Sequence, residues 1–138
     1  MNEITLTYNG TVTAKKNSKQ IIFNRRTHRP MLISNRRAKK QEGDMAWEFL
    51  MQAKEGGWDC GGDRTNNAYH ITIKIWNKDR RRRDLDNQAT AILDALTNAQ
   101  IIPDDSVDYV PRLNVEYQGI DRENPRAEVK IKEIVWMV

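Results

Sequence analysis

We predict that the chain folds as a single α+β domain spanning residues 1–138, with element order β-α-β-α-β-β and two helices packed on one mixed sheet. Three observations support this prediction. A chain of 138 residues has the size of one domain, and 38% hydrophobic residues provide a modest core. Apolar residues alternate with polar ones in four segments, which is typical of strands. They recur at helical spacing in two other segments, which is typical of amphipathic helices.

The predicted strands are residues 3–8, 69–76, 107–117 and 127–136, and the predicted helices are about 35–54 and 84–98. Ser34 is a candidate N-cap of the first helix. Its buried stripe is expected to contain Met45, Phe49 and Ala53 and to be widened by Trp47. The basic segment 14–30 is expected to be a flexible loop or a small hairpin. In the second helix the buried positions are expected to be Leu85, Ala89, Ile92, Leu93 and Leu96.

The composition indicates a cytoplasmic protein. No apolar run approaches the roughly 18 residues that span a bilayer, so no membrane partner is expected. Cys60 is the only cysteine in the sequence, so no disulfide can form within one chain.

Positive charge is concentrated in the first half of the chain and in one later block. Residues 1–40 contain ten lysines and arginines and one acid, Glu3. Such a distribution favours a polyanionic partner, because neutralised phosphates release counterions. The expected phosphate-binding residues are Lys15, Lys16, Lys19, Arg25, Arg26, Lys78, Arg80, Arg81, Arg82 and Arg83.

Residues 78–105 contain the candidate chemistry. Asp84 and Asp86 stand two apart at a strand-to-helix transition, and Asp104 or Asp105 follows the helix as a possible third carboxylate. Hydrolysis of a phosphodiester usually uses Mg²⁺ or Mn²⁺, which prefer carboxylate oxygens. Three plainer interpretations stay open: Asp84 as a simple helix cap, Asp104-Asp105 as an ordinary turn after Pro103, and the arginine run as a solvated loop or a localisation-like patch.

The segment Arg80-Arg81-Arg82-Arg83-Asp84-Leu85-Asp86-Asn87, followed by Leu93-Asp94-Ala95-Leu96 and Asp104-Asp105, resembles the signature of the RusA family of Holliday-junction resolvases. This resemblance implies a homodimeric endodeoxyribonuclease of bacterial or phage origin. It would use Mg²⁺ or Mn²⁺ to make paired symmetric nicks in four-way DNA junctions during recombination or repair.

Carried over residue by residue, the resemblance implies that Asp84, Asp86 and Asp105 are the catalytic metal ligands, with Asn87 and Asp104 in support. The family can carry a lysine one helical turn after the second aspartate, where this chain has Thr90. Lys74, Lys78 or the pair Lys15-Lys16 are candidates to replace that lysine.

Two aromatic residues are candidates for insertion at an opened junction: Phe23 in the basic segment and Trp58 in a glycine-rich loop. Two other functions are compatible with the residues alone. One is a metal-dependent nuclease acting on flaps or forks. The other is a basic DNA-binding module without catalytic activity.

Overall fold

The computed structural model describes residues 3–13, 19–34, 36–58 and 67–135. Within them the order of elements is β-β-β-α-β-α-β-β. The strands are β1 (Glu3–Asn9), β2 (Lys19–Asn24), β3 (Arg29–Ser34), β4 (Asn67–Asn77), β5 (Arg112–Ile120) and β6 (Arg126–Val135). The helices are α1 (Arg36–Glu55) and α2 (Leu85–Asn98).

Four of the strands form one mixed sheet, in the spatial order β1-β6-β4-β5. β6 pairs antiparallel with β1 and with β4, while β4 and β5 are parallel neighbours. The predicted α+β class, with a mixed sheet and two helices, is therefore confirmed. Parallel neighbours need a crossover connection, which α2 provides between β4 and β5.

The hydrophobic core lies between one face of the sheet and the two helices. Because side chains alternate across a strand, Ile71, Ile73 and Ile75 of β4 all face the helices and are fully buried. Met45, Phe49 and Ala53 of α1 meet them as predicted. The predicted buried positions of α2 also join this cluster, with Leu85 only partly buried.

Of the two alternatives predicted for the basic segment 14–30, the described residues form the hairpin: β2 and β3 pair over residues 19–34 as a separate two-stranded sheet. Two other features differ from the prediction. β5 begins at Arg112 rather than at residue 107, because the N–H groups of Tyr109 and Val110 both bond to the Ser106 carbonyl and form a turn. Trp47 does not widen the buried stripe of α1, since its side chain is 63% exposed.

The β4-α2-β5 unit determines where the polar residues of segment 78–105 lie. Because β5 runs parallel to β4, α2 must run in the opposite direction to both. The N-terminus of α2 therefore lies near the C-terminal ends of the two strands, and its C-terminus lies near their beginnings. Neither helix is long and apolar enough to cross a membrane, as far as the described residues show.

Candidate active site

Asp84 occupies the N-cap position of α2 but does not act as a side-chain cap. Its backbone is extended, with φ −85° and ψ 126°, and its side chain makes no capping hydrogen bond. The side chain is 53% exposed, and Arg82 Nε lies 3.9 Å from its Oδ1. The plainer interpretation, in which this carboxylate only satisfies the helix N-terminus, is therefore not supported.

Asp86 is exposed in the first turn of α2, where the helix dipole favours a negative charge. Its Oδ1 accepts a hydrogen bond of 2.9 Å from the N–H of Asn87. The Asn87 side-chain amide in turn donates to Asp84 Oδ2 at 3.4 Å. Asp84, Asp86 and Asn87 thus form one connected polar group at the start of the helix, which we call the acidic helix start.

A buried amide places this helix start against the sheet. Gln88 is 1% exposed, and its Nε2 donates to Asn77 Oδ1 at 2.9 Å and to the Val12 carbonyl at 3.0 Å. Asn77 ends β4 and is itself 6% exposed. Sequence reasoning did not identify this pair. The sequence feature that could have indicated it is the amide side chain of Gln88, which stands beside predicted buried positions of the second helix.

The four arginines before the acidic helix start differ in their environments. Arg83 is packed inward, with 12% of its side chain exposed, and its Nη1 lies 2.8 Å from Asp79 Oδ1. This hydrogen bond lowers the pKa of Asp79 below its ordinary value. Arg80, Arg81 and Arg82 are exposed. The run therefore consists of one arginine that holds the loop and three whose guanidinium groups face solvent.

These arginines line a surface cleft of about 400 Å³ next to the acidic helix start. Its other walls are Asn77, Asp79, Leu85, Gln88, Tyr117 and Ile120. The last two come from the end of β5, so the cleft lies where the strands end and α2 begins. A cleft lined by guanidinium groups beside exposed carboxylates is suited to a phosphate chain, since arginine binds phosphate oxygens in bidentate fashion.

Asp104 and Asp105 are exposed in the connection from α2 to β5. The beginning of this connection is attached to the C-terminus of α2. The N–H of Ile101 donates to the Leu96 carbonyl at 3.0 Å, and the Ile101 carbonyl accepts a bond of 2.9 Å from Trp58 Nε1. Asp105 thus follows a segment that is held at the C-terminal end of the helix.

The end of the same connection is attached near the beginning of β4. The Tyr109 carbonyl accepts a hydrogen bond of 2.7 Å from the N–H of Tyr69, and the turn closed by the Ser106 carbonyl keeps Asp105 close to Tyr109. Both attachments therefore place Asp105 at the end of the β4-α2-β5 unit opposite to Asp84. Since α2 contains 14 residues, each rising about 1.5 Å, these two ends are about 20 Å apart.

The three implied ligands fit a hard divalent cation in chemistry but not in the geometry of one chain. All are carboxylates, as Mg²⁺ and Mn²⁺ prefer. However, no group of three His, Cys, Asp or Glu side chains in the described ranges is arranged to hold a metal ion. A single chain brings Asp84 and Asp86 together with Asn87 and leaves Asp104 and Asp105 at a distance.

The position of the family lysine is occupied by an uncharged, exposed side chain. The Thr90 hydroxyl donates to the main-chain carbonyl of Asp86 at 3.0 Å. Of the candidate replacements, Lys74 lies on the sheet face opposite to α2, because its neighbours Ile73 and Ile75 face the core. Lys78 is exposed directly after β4, on the loop that leads to Asp84. Lys15 and Lys16 lie outside the described residues.

The tip of the β2–β3 hairpin is basic and carries an exposed aromatic ring. The Asn24 side chain accepts bonds from the N–H groups of Arg26 and Thr27, at 2.9 and 3.3 Å, which form the turn. Arg25 and Arg26 are exposed, and Lys19 is the first residue of β2. Phe23 lies near the end of β2, beside the turn, and its side chain is 62% exposed. Its surroundings suit contact with nucleic acid.

Trp58 is a core residue and not a candidate for insertion into DNA. It is 7% exposed, and its ring lies 6.0 Å from that of Tyr69. Trp58 is buried because of the turn that follows α1. Gly57 adopts a positive φ of 73° there, and the Trp58 N–H donates a hydrogen bond to the Ala53 carbonyl. This turn directs the indole inward.

The comparisons with known proteins agree with these features. The family model described as endodeoxyribonuclease RusA matches residues 9–132 of the 138-residue chain. The match includes the β2–β3 hairpin, the arginine run, the acidic helix start and the connection that carries Asp105. A search among individual curated proteins finds no match. The chain therefore belongs to the RusA family of endodeoxyribonucleases, structure-specific nucleases that resolve Holliday junctions.

Proposed function

We propose that this nuclease depends on Mg²⁺ or Mn²⁺ and acts as a homodimer that resolves four-way DNA junctions by paired symmetric nicks. In this proposal Asp84, Asp86 and Asp105 are the metal ligands, and Asn87 and Asp104 support them. The single observation that carries the proposal is the environment of the Asp84 carboxylate. Its carboxylate occupies a capping position without capping, and it stands exposed between arginines and Asp86.

The residues of the acidic helix start orient two carboxylates for a shared cation. Asn87 donates to both of them and so limits the directions that they can adopt. Thr90 bonds to the main chain rather than to either carboxylate, so it does not compete for these oxygens. A bound divalent ion would polarise a phosphoryl oxygen and activate water.

The exposed arginines offset the repulsion between these carboxylates and DNA. Arg80, Arg81 and Arg82 would bind phosphates on either side of the cut bond, while Arg83 keeps the loop in shape through Asp79. Lys78 precedes them on the same loop. The basic hairpin would contact a second stretch of backbone through Lys19, Arg25 and Arg26, together with Lys15 and Lys16. Phe23 would then stack on a base exposed at the junction centre.

The test is incubation of the protein with a labelled synthetic four-way junction in Mg²⁺ and in EDTA. We expect the wild type to convert the junction into two nicked duplexes in Mg²⁺ only. Asp84→Asn, Asp86→Asn and Asp105→Asn should each abolish cleavage and leave junction binding unchanged or tighter, because each removes a hard ligand and a repulsive charge together. Asp104→Asn should have a milder effect.

The matched control is Asp44→Asn, which also removes an exposed carboxylate, on α1 and 40 residues before Asp84 in the sequence. It should cleave at the wild-type rate. Full cleavage in EDTA would contradict metal dependence. Equal cutting rates on four-way, flap and linear DNA would contradict the preference for four-way junctions. An essential Asp104 with a dispensable Asp105 would shift the third ligand by one position.

A further inference from the structure

The face of the four-stranded sheet that points away from α1 and α2 carries a row of basic side chains. On β4, Tyr69 and Ile71 are buried in the core, so His70 between them points to the opposite face. Strand pairing places Lys132 of β6 on one side of His70 and Arg112 of β5 on the other. These three residues stand side by side on adjacent strands, and we call them the basic row.

The two cations of the basic row are not neutralised by an acid in the described part of the chain. Arg112 is exposed and Lys132 is partly exposed. Glu3 of β1 stands opposite Lys132 in the sheet, but its Oε1 lies 3.3 Å from the Nζ of Lys130. Among the residues that the structure describes, neither Lys132 nor Arg112 forms an ion pair. Both charges therefore remain for an external anion.

The other end of the same face is different, because its cations are paired with acids. Lys74 stands directly between Glu128 of β6 and Glu116 of β5. Arg126 lies 3.1 Å from Asp121 and 3.4 Å from Glu128. The excess of positive charge is therefore confined to the end of the face where β4 begins.

The stability of the sheet does not account for the basic row. Like charges on neighbouring strands destabilise a sheet, and here two cations stand on either side of one histidine. The histidine ring is itself oriented, since the Nδ2 of Asn114 lies 3.1 Å from the Nε2 of His70. A phosphate bound at the row would offset the repulsion and accept charge-assisted hydrogen bonds from Lys132 and Arg112.

The dimensions of the basic row suit a DNA backbone. Neighbouring strands lie about 4.8 Å apart, so the main chains of Lys132 and Arg112 are about 10 Å apart. One strand of duplex DNA carries a phosphate for about every 3.4 Å of helix axis. A backbone that crosses the three protein strands therefore presents several phosphates to the row at once.

The basic row is separate from the arginine-lined cleft beside the acidic helix start. The cleft includes Asn77 at the end of β4, whereas His70 lies seven residues earlier, about 23 Å along the strand. The row also lies on the sheet face opposite to α2. A straight duplex that occupies the cleft does not reach the row, but a branched substrate has further arms that can reach it.

We infer that the basic row is a second DNA-binding surface, which holds the phosphodiester backbone of a junction arm other than the arm in the arginine-lined cleft. Lys132 and Arg112 bind the phosphates, and His70 contributes a ring N–H between them. This inference rests on the proposed action on four-way junctions. The surface is not a cluster in the sequence, because strand pairing assembles it from positions 70, 112 and 132.

The salt dependence of binding, measured in EDTA, tests this surface without cleavage. Lys132→Gln and Arg112→Gln should each lower the slope of log K against log salt for a four-way junction by about one unit, and the double variant should lower it by about two. A linear duplex occupies the cleft only, so its slope should keep the wild-type value. A slope that falls equally on the linear duplex would contradict the assignment to a separate arm.

Lys54→Gln is the matched control, because it removes one exposed cation from the last turn of α1, on the other side of the sheet. Its slope should equal the wild-type slope on both substrates. If Lys132→Gln and Arg112→Gln change the junction slope no more than Lys54→Gln does, the basic row does not bind DNA.

Acetylation of lysine side chains, measured by mass spectrometry on the wild-type protein, locates the contact without any substitution. Four-way junction DNA in EDTA should protect Lys132 from acetylation and leave Lys54 as reactive as in the free protein. A Lys132 that is equally reactive with and without the junction would refute the inference. That result would leave the proposed function standing, because metal-dependent cleavage is measured separately in Mg²⁺.

Discussion

Gln88 is the buried polar residue that connects the acidic helix start to the sheet. Its side chain is 1% exposed and satisfies two acceptors, Asn77 Oδ1 and the Val12 carbonyl. Removing the donor from a buried acceptor lowers stability by more than the net contribution of the hydrogen bond. The reason is that the acceptor has no water molecule to replace the lost donor. The amide therefore contributes to stability and to the position of Asp84 and Asp86 at once.

We expect Gln88→Met, which is similar in volume, to lower the free energy of unfolding by about 1–3 kcal/mol, because it leaves both acceptors without a donor. Urea unfolding measures this change. Thr90→Met is the control, since position 90 is exposed on the same helix and should change stability by less than about 0.5 kcal/mol. If the two variants unfold at the same urea concentration, the buried amide has no such role.

The ion pair of Asp79 with Arg83 makes a prediction about pH. The hydrogen bond from Arg83 lowers the pKa of Asp79 below its ordinary value of 3.8. A lowered folded-state pKa stabilises the fold above that ordinary value, and the contribution is lost as the pH falls through the folded-state pKa. In Arg83→Gln the pKa of Asp79 should rise towards 3.8, as followed by NMR titration of the carboxyl group. An unchanged pKa would show that Arg83 does not hold this loop.

At the scale of elements, the two helices end with the same turn but with different residues in the left-handed position. Gly57, two residues after the end of α1, has φ 73°, and Gln100, two residues after the end of α2, has φ 58°. In both, the next N–H bonds back to the helix, from Trp58 to Ala53 and from Ile101 to Leu96. Glycine adopts this conformation without strain, whereas a residue with a Cβ atom is strained there.

Gln100→Gly should therefore stabilise the protein by about 0.5–1 kcal/mol, the relief of backbone strain less the entropy that glycine loses on folding. Thermal unfolding measures the gain. Gln100→Ala serves as the control, because alanine keeps the Cβ atom and should give no gain. Equal melting temperatures for the two variants would mean that this strain is absent.

At the scale of the whole molecule, two basic groups that are separate in sequence are the expected DNA contacts. One is the tip of the β2–β3 hairpin and the other is the loop before α2. The two occur in a chain whose formal net charge is only +4. Local clusters rather than net charge therefore determine where a polyanion binds, because screening limits the range of each charge to about 10 Å in ordinary buffers.

Junction binding should become less salt-dependent when exposed arginines are removed. Replacing Arg81 and Arg82 with glutamine should lower the slope of log K against log salt by roughly one unit for each lost phosphate contact. Replacing Arg25 and Arg26 should have a similar effect. The inward-facing Arg83 should change the slope less, since most of its side chain is occupied by Asp79. A larger effect from Arg83 than from Arg82 would contradict this placement of the DNA.

Local sequence patterns were sufficient for most of the fold. Alternating apolar residues predicted β1, β4 and β6 to within two residues, because a half-buried strand needs that period. Helical spacing predicted the buried face of α2, because the core-facing residues of an amphipathic helix recur every three or four positions. The patterns misplaced the start of β5 and the environments of Trp47 and Trp58. Those depend on which turn the chain makes and on which neighbours cover a side chain.

What the sequence determined by itself was the set of chemical groups: two aspartates at a helix start, arginines before them, a later aspartate pair and a basic N-terminal half. The tertiary structure decided how those groups lie in space. Hydrogen bonding of β4 to β5 in parallel forces α2 to reverse direction, so residues only about 20 positions apart in sequence lie at opposite ends of one unit. Distance along the chain does not specify this separation, because it follows from strand pairing between segments distant in sequence.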